Sequence, residues 1–547
     1  MKLLKVAIAA IAAACAFDAS AAFIRTIEAP GGVGNVTSLT NVLTEFNALS
    51  DNDRKNARIW LQPGIYNLSG IYMNSASHLR IEQSTGGLFA GLGDGPGETI
   101  LLGGGESQAH RVLSCSGGGN YGSTTISNLT CTGGWTTSNG GGVEGSASVT
   151  YRCLIISNNY AVGSGNGAGG GGCFKGQAYN CLFADNHTTE RWGGGLLVDG
   201  YYTRNETVGQ GAWNCVFVGN TAQQYGGGLS LKSGQCHGCS FTNNSASGVG
   251  GAIHVYQVDY TTWGGTPRTT QISGCTFSGN NVAVHSAPAK IVSISNCVFR
   301  FNSGGHTVWH GDLVDSTIEC NTNGTGVVGN SAMNRCVVRN NAVRNRYASG
   351  IDYCETDAVH YTNVNCLVES NGYLDEYGKV LLNKSYVNCT IVGNYMPNGG
   401  NYGYLERGCT FWNCVLFDNK ISTSTKRDVR TMDKDKNPLA VCMTNCVFAT
   451  SDIAAGSIGV DGAVTHDGLG ACRQLAKVAL KLVDEPNGDY TPTTRSPLYG
   501  TGCADEWIIN LVGDKDLAGN QRMFGGGLDI GAYECQLNKP GAMLIVW

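Results

Sequence analysis

Three glycine clusters, Gly193-Gly194-Gly195, Gly226-Gly227-Gly228 and Gly250-Gly251, are each followed by the same pattern of side chains. The apolar pairs Leu196/Val198, Leu229/Leu231 and Ile253/Val255 alternate with other residue types, as in a strand with one face buried. Asp199, Lys232 and Tyr256 then form one outward row, with Ser230 and His254 in the row beside it. His310 joins the first row if Gly304-Gly305 is the corresponding cluster. Two insertions follow this face, Tyr201-Tyr202-Thr203-Arg204-Asn205-Glu206 and Asp259-Tyr260-Thr261-Thr262-Trp263. Tyr202, Tyr256, Trp263 and His310 are the candidate ligand-binding residues, because flat rings stack on the apolar faces of sugars. The charged groups would bind hydroxyls or uronate carboxylates.

The same face is weighed for catalysis. A lyase acting on uronates needs a base at the C5 proton and a cation to stabilise the enolate. Lys232 or His254 can supply the first, and Arg204 or Arg268 the second. A hydrolase needs two carboxylates at a set separation, and Asp199 with Glu206 or Asp259 is the nearby choice. Asp199, Lys232, His254 and Arg204 are therefore the catalytic candidates, without the support of a recognised motif. A second cluster, Asp352, Tyr353, Glu355, Asp357, His360 and Tyr361, lies on another insertion and reads as a solvated loop.

These residues are carried by a repeat. Asn180-Cys181-Leu182-Phe183-Ala184-Asp185-Asn186 recurs as Asn214-Cys215-Val216-Phe217-Val218-Gly219-Asn220. Further copies start at Cys153, Cys239, Cys275, Cys297, Cys336, Cys366, Cys389, Cys414 and Cys446, and one has Ser316 in the Cys place. Intervals of roughly 20 to 36 residues signal a solenoid. Within a copy, the Cys and the apolar residue two places on share a strand face. The Asn ends the strand where the chain must turn, and Asn suits a left-handed turn and amide ladders between coils. Each unit reads strand, turn, strand, turn. The expected fold is all-β: a single right-handed parallel β-helix. Ahead of it, Leu39, Val42, Leu43, Phe46 and Leu49 fall on one face of a predicted helix that covers the first coil.

Composition narrows the partners. Gly at 80 of 547 residues, with scarce Pro and no Gly-x-y period, excludes collagen. The net charge of −5 and thinly spread Lys and Arg exclude a nucleic-acid stripe. Lys2 and Lys5, the apolar run 6–17 and Ala19-Ser20-Ala21-Ala22 predict a secretory signal peptide. After it, no apolar run approaches the roughly 20 residues of a membrane span. Of 23 Cys, Cys15 falls in this leader, leaving 22. Most recur at one inward place and are expected as a reduced, buried stack. Cys236/Cys239 and Cys442/Cys446 have zinc-like spacing, but one member of each pair is the repeat Cys, and no metal or other cofactor is expected.

Three resemblances accompany this reading. The predicted helix and Leu61-Gln62-Pro63-Gly64-Ile65-Tyr66 resemble the start of pectate-lyase-like β-helices. The Phe-x-x-Asn copies and Gly250-Gly251-Ala252-Ile253 resemble the repeats of polymorphic outer-membrane and autotransporter-like passenger proteins. Asp516-Leu517-Ala518-Gly519-Asn520-Gln521-Arg522 and Leu528-Asp529-Ile530-Gly531-Ala532-Tyr533-Glu534 resemble the end of bacterial proteins with a choice-of-anchor Q domain. Those resemblances imply a secreted or outer-membrane-associated bacterial β-helix. The expected organisation is a signal peptide over 1–22, cap and first coils over 23–125, repeat coils over 126–453 and a closing segment over 454–547. The expected function is adhesin-like binding of a polysaccharide or surface glycan by a monomer. The alternative is a polysaccharide lyase or glycoside hydrolase acting on an acidic polysaccharide.

Overall fold

The computed structural model describes residues 23–28, 36–115, 123–162, 169–189, 192–198, 210–231, 234–256, 270–286, 292–344, 350–355, 361–373, 379–395, 404–407, 409–419, 442–450 and 472–537. It divides into two compact units, residues 1–291 and 292–547. Each unit is a parallel β-helix.

In the N-terminal unit a coil places one short strand in each of three sheets. Gln177–Tyr179, Leu182–Ala184 and Leu196–Val198 form one coil, and Gly211–Trp213, Val216–Val218 and Leu229–Leu231 the next. Like strands pair in parallel without slippage, so Phe183, Phe217, Phe241 and Phe277 stand in register. Their rings stack 4.7–5.1 Å apart and within 6° of parallel, and all are buried. A fourth, two-residue strand joins some coils, as at His187–Thr188 and Thr221–Ala222. The helix Val36–Ala48 precedes the coils as its apolar spacing predicts. It buries Leu39, Leu43 and Phe46, and its Asn47 side chain donates to the Arg80 carbonyl and accepts from the Glu82 amide. This is the N-terminal cap.

The repeat Asn forms the expected ladder, but its backbone is not the left-handed one. The positive φ falls one residue earlier, at Asp185 (52°), Gly219 (65°), Asn243 (54°) and Gly279 (68°). A second left-handed corner directly precedes the inward Cys, at Asn180, Asn214, Gly238 and Gly274. Cys153, expected as a repeat Cys, instead occupies this corner (φ 50°), with buried Leu154 in the inward place. Asn, Asp and Gly cluster at these two places because they tolerate that backbone best. The ladder residues Asn159, Asn186, Asn220, Asn244 and Asn280 instead point inward. From Asn159 to Asn244 each Nδ2 donates to the next Oδ1 at 2.9–3.1 Å. Every Oδ1 from Asn186 onward also accepts the backbone N–H of the preceding Asn. The buried amides are thereby satisfied.

None of the 21 cysteines described is in a disulfide. In the stack the Cys215 Sγ accepts the Cys181 amide at 3.5 Å, and the Cys239 Sγ accepts the Cys215 amide at 3.4 Å. The Cys236 and Cys275 sulfurs lie 3.8 Å apart, both buried.

The C-terminal unit repeats the scheme, with a second ladder through Asn302, Asn321, Asn341, Asn371, Asn394 and Asn419 at 2.8–3.0 Å. The closing segment packs against the side of its last coils. Ile508, Val512 and Leu528 cover Val364 and Val387, while Leu498 and Ile530 cover Val392, Val415 and Phe417. Here the left-handed corner residues hold it. Asn365, Asn388, Asn413 and Asn445 donate through Nδ2 to the carbonyls of Val512, Asp529, Cys503 and Thr501. The carboxylates of Asp516 and Asp529 cap turns by accepting backbone amides of Asn520, Glu534, Gly500 and Cys535. Buried Arg522 donates to Asn365 Oδ1, Glu534 and two carbonyls. These motif residues therefore have structural work. Among the described residues, no helix is long and apolar enough to cross a membrane.

Candidate functional site

The third sheet of the N-terminal unit carries the face expected from the glycine clusters. Leu196, Val198, Leu229, Leu231, Ile253 and Val255 are buried on its inner side. Between them Leu197, Ser230, His254 and His285 stand in register on the other side. That second row is covered, because the chain folds back over it. Trp192 and Tyr225 precede the glycine clusters and bridge in parallel to one another. The turns that aim them use Gly193 (φ 64°) and Gly226 (φ 65°). A Cβ on Gly226 would also lie 2.3 Å from Ser230 Oγ and 2.6 Å from the Leu229 carbonyl, so the return is available only to glycine.

The result is an inclined cluster of rings. Trp192 lies 4.1 Å from Tyr256 and 4.7 Å from Tyr225, and Tyr225 lies 4.7 Å from His254. His254 meets His285 at 5.5 Å beneath them. Trp192, Tyr225 and Tyr256 are half-buried, whereas His254 is 4% exposed and its Nδ1 has no partner. Burial, and then the neighbouring His285, push the His254 imidazole down to about 3. A ring that stays neutral to so low a pH does not shuttle protons near neutrality, which does not fit the role of a general base.

Two further outward rows accompany this cluster in the same unit. Trp135, Tyr160 and His187 follow each other at 4.8 and 5.6 Å, and Tyr179 stacks on Trp213 at 4.6 Å. The Arg152 guanidinium lies 4.6 Å over the Tyr179 ring. Sequence reasoning passed over these aromatics. Their signal was positional: Tyr179 and Trp213 stand two places before the repeat Cys, and Tyr160 and His187 directly follow the ladder Asn, just as Trp192 and Tyr225 directly precede the glycine clusters.

Of the residues singled out from sequence, His254 and Tyr256 belong to the cluster. Asp199, Tyr202, Arg204, Lys232 and Trp263 lie outside the described residues, as do Glu206, Asp259 and Arg268. His310 does not occupy a place equivalent to Tyr256. It sits at a left-handed corner (φ 58°) in the C-terminal unit, with its ring 4.8 Å from Trp309. Asp352 and Tyr353, read as part of a solvated loop, are fully buried in the strand Gly350–Tyr353. Asp357 and His360 lie outside the described residues. Among the described residues, no group of three or more His, Cys, Asp or Glu is placed to hold a metal ion.

No family model matches the chain, and no curated protein matches its sequence. Solved structures match at low similarity. The A-module of an Azotobacter vinelandii mannuronan C-5 epimerase is 12% identical, with a TM-score of 0.33, over 67% of this chain and 92% of that one. A mannuronic acid-specific polysaccharide family 6 lyase from human gut microbiota is 11% identical, with a TM-score of 0.27, over 83% and 91%. Tailspike protein 3 of bacteriophage CBA120 is 12% identical, with a TM-score of 0.29, over 80% and 58%.

Proposed function

We propose that this is a secreted or cell-surface β-helix protein that binds glycans through the aromatic outer face of its N-terminal unit, without catalysis. The observation that supports this is the half-exposed ring cluster of Trp192, Tyr225 and Tyr256, held over a buried neutral histidine. Rings fixed by glycine turns and by one another offer a rigid apolar surface at little entropic expense. Sugar rings present complementary C–H faces, and an elongated glycan can meet rings from successive coils. The insertions carrying Tyr202, Arg204 and Trp263 follow the same strands in the sequence. The signal-peptide-like leader supports export.

A panel of neutral and acidic glycans, scored for retention and for release of ultraviolet-absorbing unsaturated products, tests this reading. The expected result is retention without release. Trp192→Ala should weaken retention at least tenfold, since truncating a ring at the centre of a contact commonly costs about 2 kcal/mol or more. Because Trp192 lies outside the packed interior, the melting transition should persist. Release of products would assign a polysaccharide lyase or glycoside hydrolase instead, and unaltered retention by Trp192→Ala would overturn the assignment of this face.

A further inference from the structure

Inside the C-terminal unit, Lys384 and Asp352 form an ion pair in which both side chains are 0% exposed. Asp352 belongs to the third-sheet strand Gly350–Tyr353, and Lys384 opens the first-sheet strand Lys384–Val387. The pair is surrounded by groups that hold each atom in place. Lys384 Nζ donates to the Ser331 carbonyl at 2.6 Å and to Asp352 Oδ1. Asp352 Oδ2 accepts from the Tyr386 hydroxyl at 2.6 Å and from Asn363 Nδ2. Asn363 is itself oriented, since its Oδ1 accepts the Met333 amide at 3.0 Å. Tyr386 is buried and stacked on Phe411 at 5.2 Å.

The geometry points to an intramolecular amide cross-link between Lys384 Nζ and Asp352 Cγ. A buried ion pair carries a desolvation penalty that its mutual attraction only partly repays, and a neutral amide carries none of it. The reaction balances without any co-reactant. A proton passes from the ammonium to Oδ1, and the neutral amine attacks Cγ to form the N–C bond. Negative charge gathers on Oδ2, where the Tyr386 hydroxyl and Asn363 Nδ2 already donate, as in an oxyanion hole. The Cγ–Oδ1 bond then breaks, and Oδ1 leaves as water with two of the three ammonium protons. The third stays on the amide nitrogen, facing the Ser331 carbonyl. Holding amine and carboxyl in contact replaces a bimolecular encounter, which is worth several powers of ten in rate. The link would tie two sheets together directly before Val387 and Asn388, on which the closing segment rests.

Peptide mapping of the purified full-length protein by tandem mass spectrometry tests this. The expected product is one branched peptide, joining the Asp352 and Lys384 segments and lighter than their sum by one water. Lys384 should resist trypsin. Asp352→Asn should give the same branched peptide with loss of ammonia, and Asp352→Ala should give two separate peptides. Tyr386→Phe, which keeps the stacked ring, should slow the appearance of the link in freshly made protein. Separate, unmodified peptides from the folded wild type overturn the proposal. So does a loss of water confined to the Asp352 peptide, which would be a cyclic imide.

Discussion

Replacing Asn220 by Ala interrupts the buried ladder of the N-terminal unit at its middle. The side chain makes four hydrogen bonds: Nδ2 to Asn244 Oδ1 (3.0 Å) and to the Phe183 carbonyl (2.8 Å), and Oδ1 from the Asn186 amide (3.1 Å) and Asn186 Nδ2 (2.9 Å). At about 1 kcal/mol net each, the bonds alone account for about 4 kcal/mol. The Asn186 N–H is then left in a buried site without this acceptor, so the loss of that one bond counts as about 1–3 kcal/mol in place of the net value. No relief of backbone strain offsets this, because Asn220 is not among the left-handed residues. Asn220→Asp keeps the shape but turns both Nδ2 bonds into contacts between oxygens and buries a charge. It should lose at least as much stability at neutral pH and recover part of it on acidification, when the acid can donate once. Each coil contacts only its neighbours, so the loss should be local. Hydrogen exchange at the amides of residues 186, 220 and 244, together with urea denaturation, reads both the size and the spread. A change within about 1 kcal/mol of wild type for Asn220→Ala would refute the reasoning.

Two other outcomes follow from buried groups. Thiol titration without reductant should find about twenty reactive cysteines after unfolding and very few before it. Burial pushes thiols such as Cys115 up to about 12, and only the thiolate reacts; a handful of thiols after unfolding would mean a cross-linked stack instead. His254 should make the N-terminal unit acid-sensitive. Its folded value of about 3 lies below the ordinary 6.5, so its contribution is complete above pH 6.5 and is lost as pH falls towards 3. The interval sets a ceiling of about 5 kcal/mol. His254→Phe should remove that part of the acid sensitivity, and an equal loss between pH 7 and pH 4 in both proteins would exclude His254 as its source.

The repeat carried most of the architecture in its own residues. Cys-x-Phe-x-x-Asn, with glycines at fixed offsets, dictates which side chains alternate inward. It thereby places the Phe stack, the thiol stack, the amide ladder and the inner row from Leu196 to Val255. The helical spacing of Leu39, Leu43 and Phe46 specified the cap in the same way. These are local periodicities, and every coil reads them alike. What only the tertiary structure decided depends on side chains brought together by coil length. Trp192 and Tyr225 turn His254 from an outward residue into a covered one, and no alternation pattern records a chain folding back over its own sheet. The pairing of Asp352 with Lys384 spans 32 positions, and that of Asn365 with Val512 spans 147. Asp352 reads as a loop residue until Asn363, and then Lys384 and Tyr386, arrive on the next two strands of the first sheet to satisfy it. A buried charge is tolerable only with such partners, and partners that distant are a property of the folded solenoid.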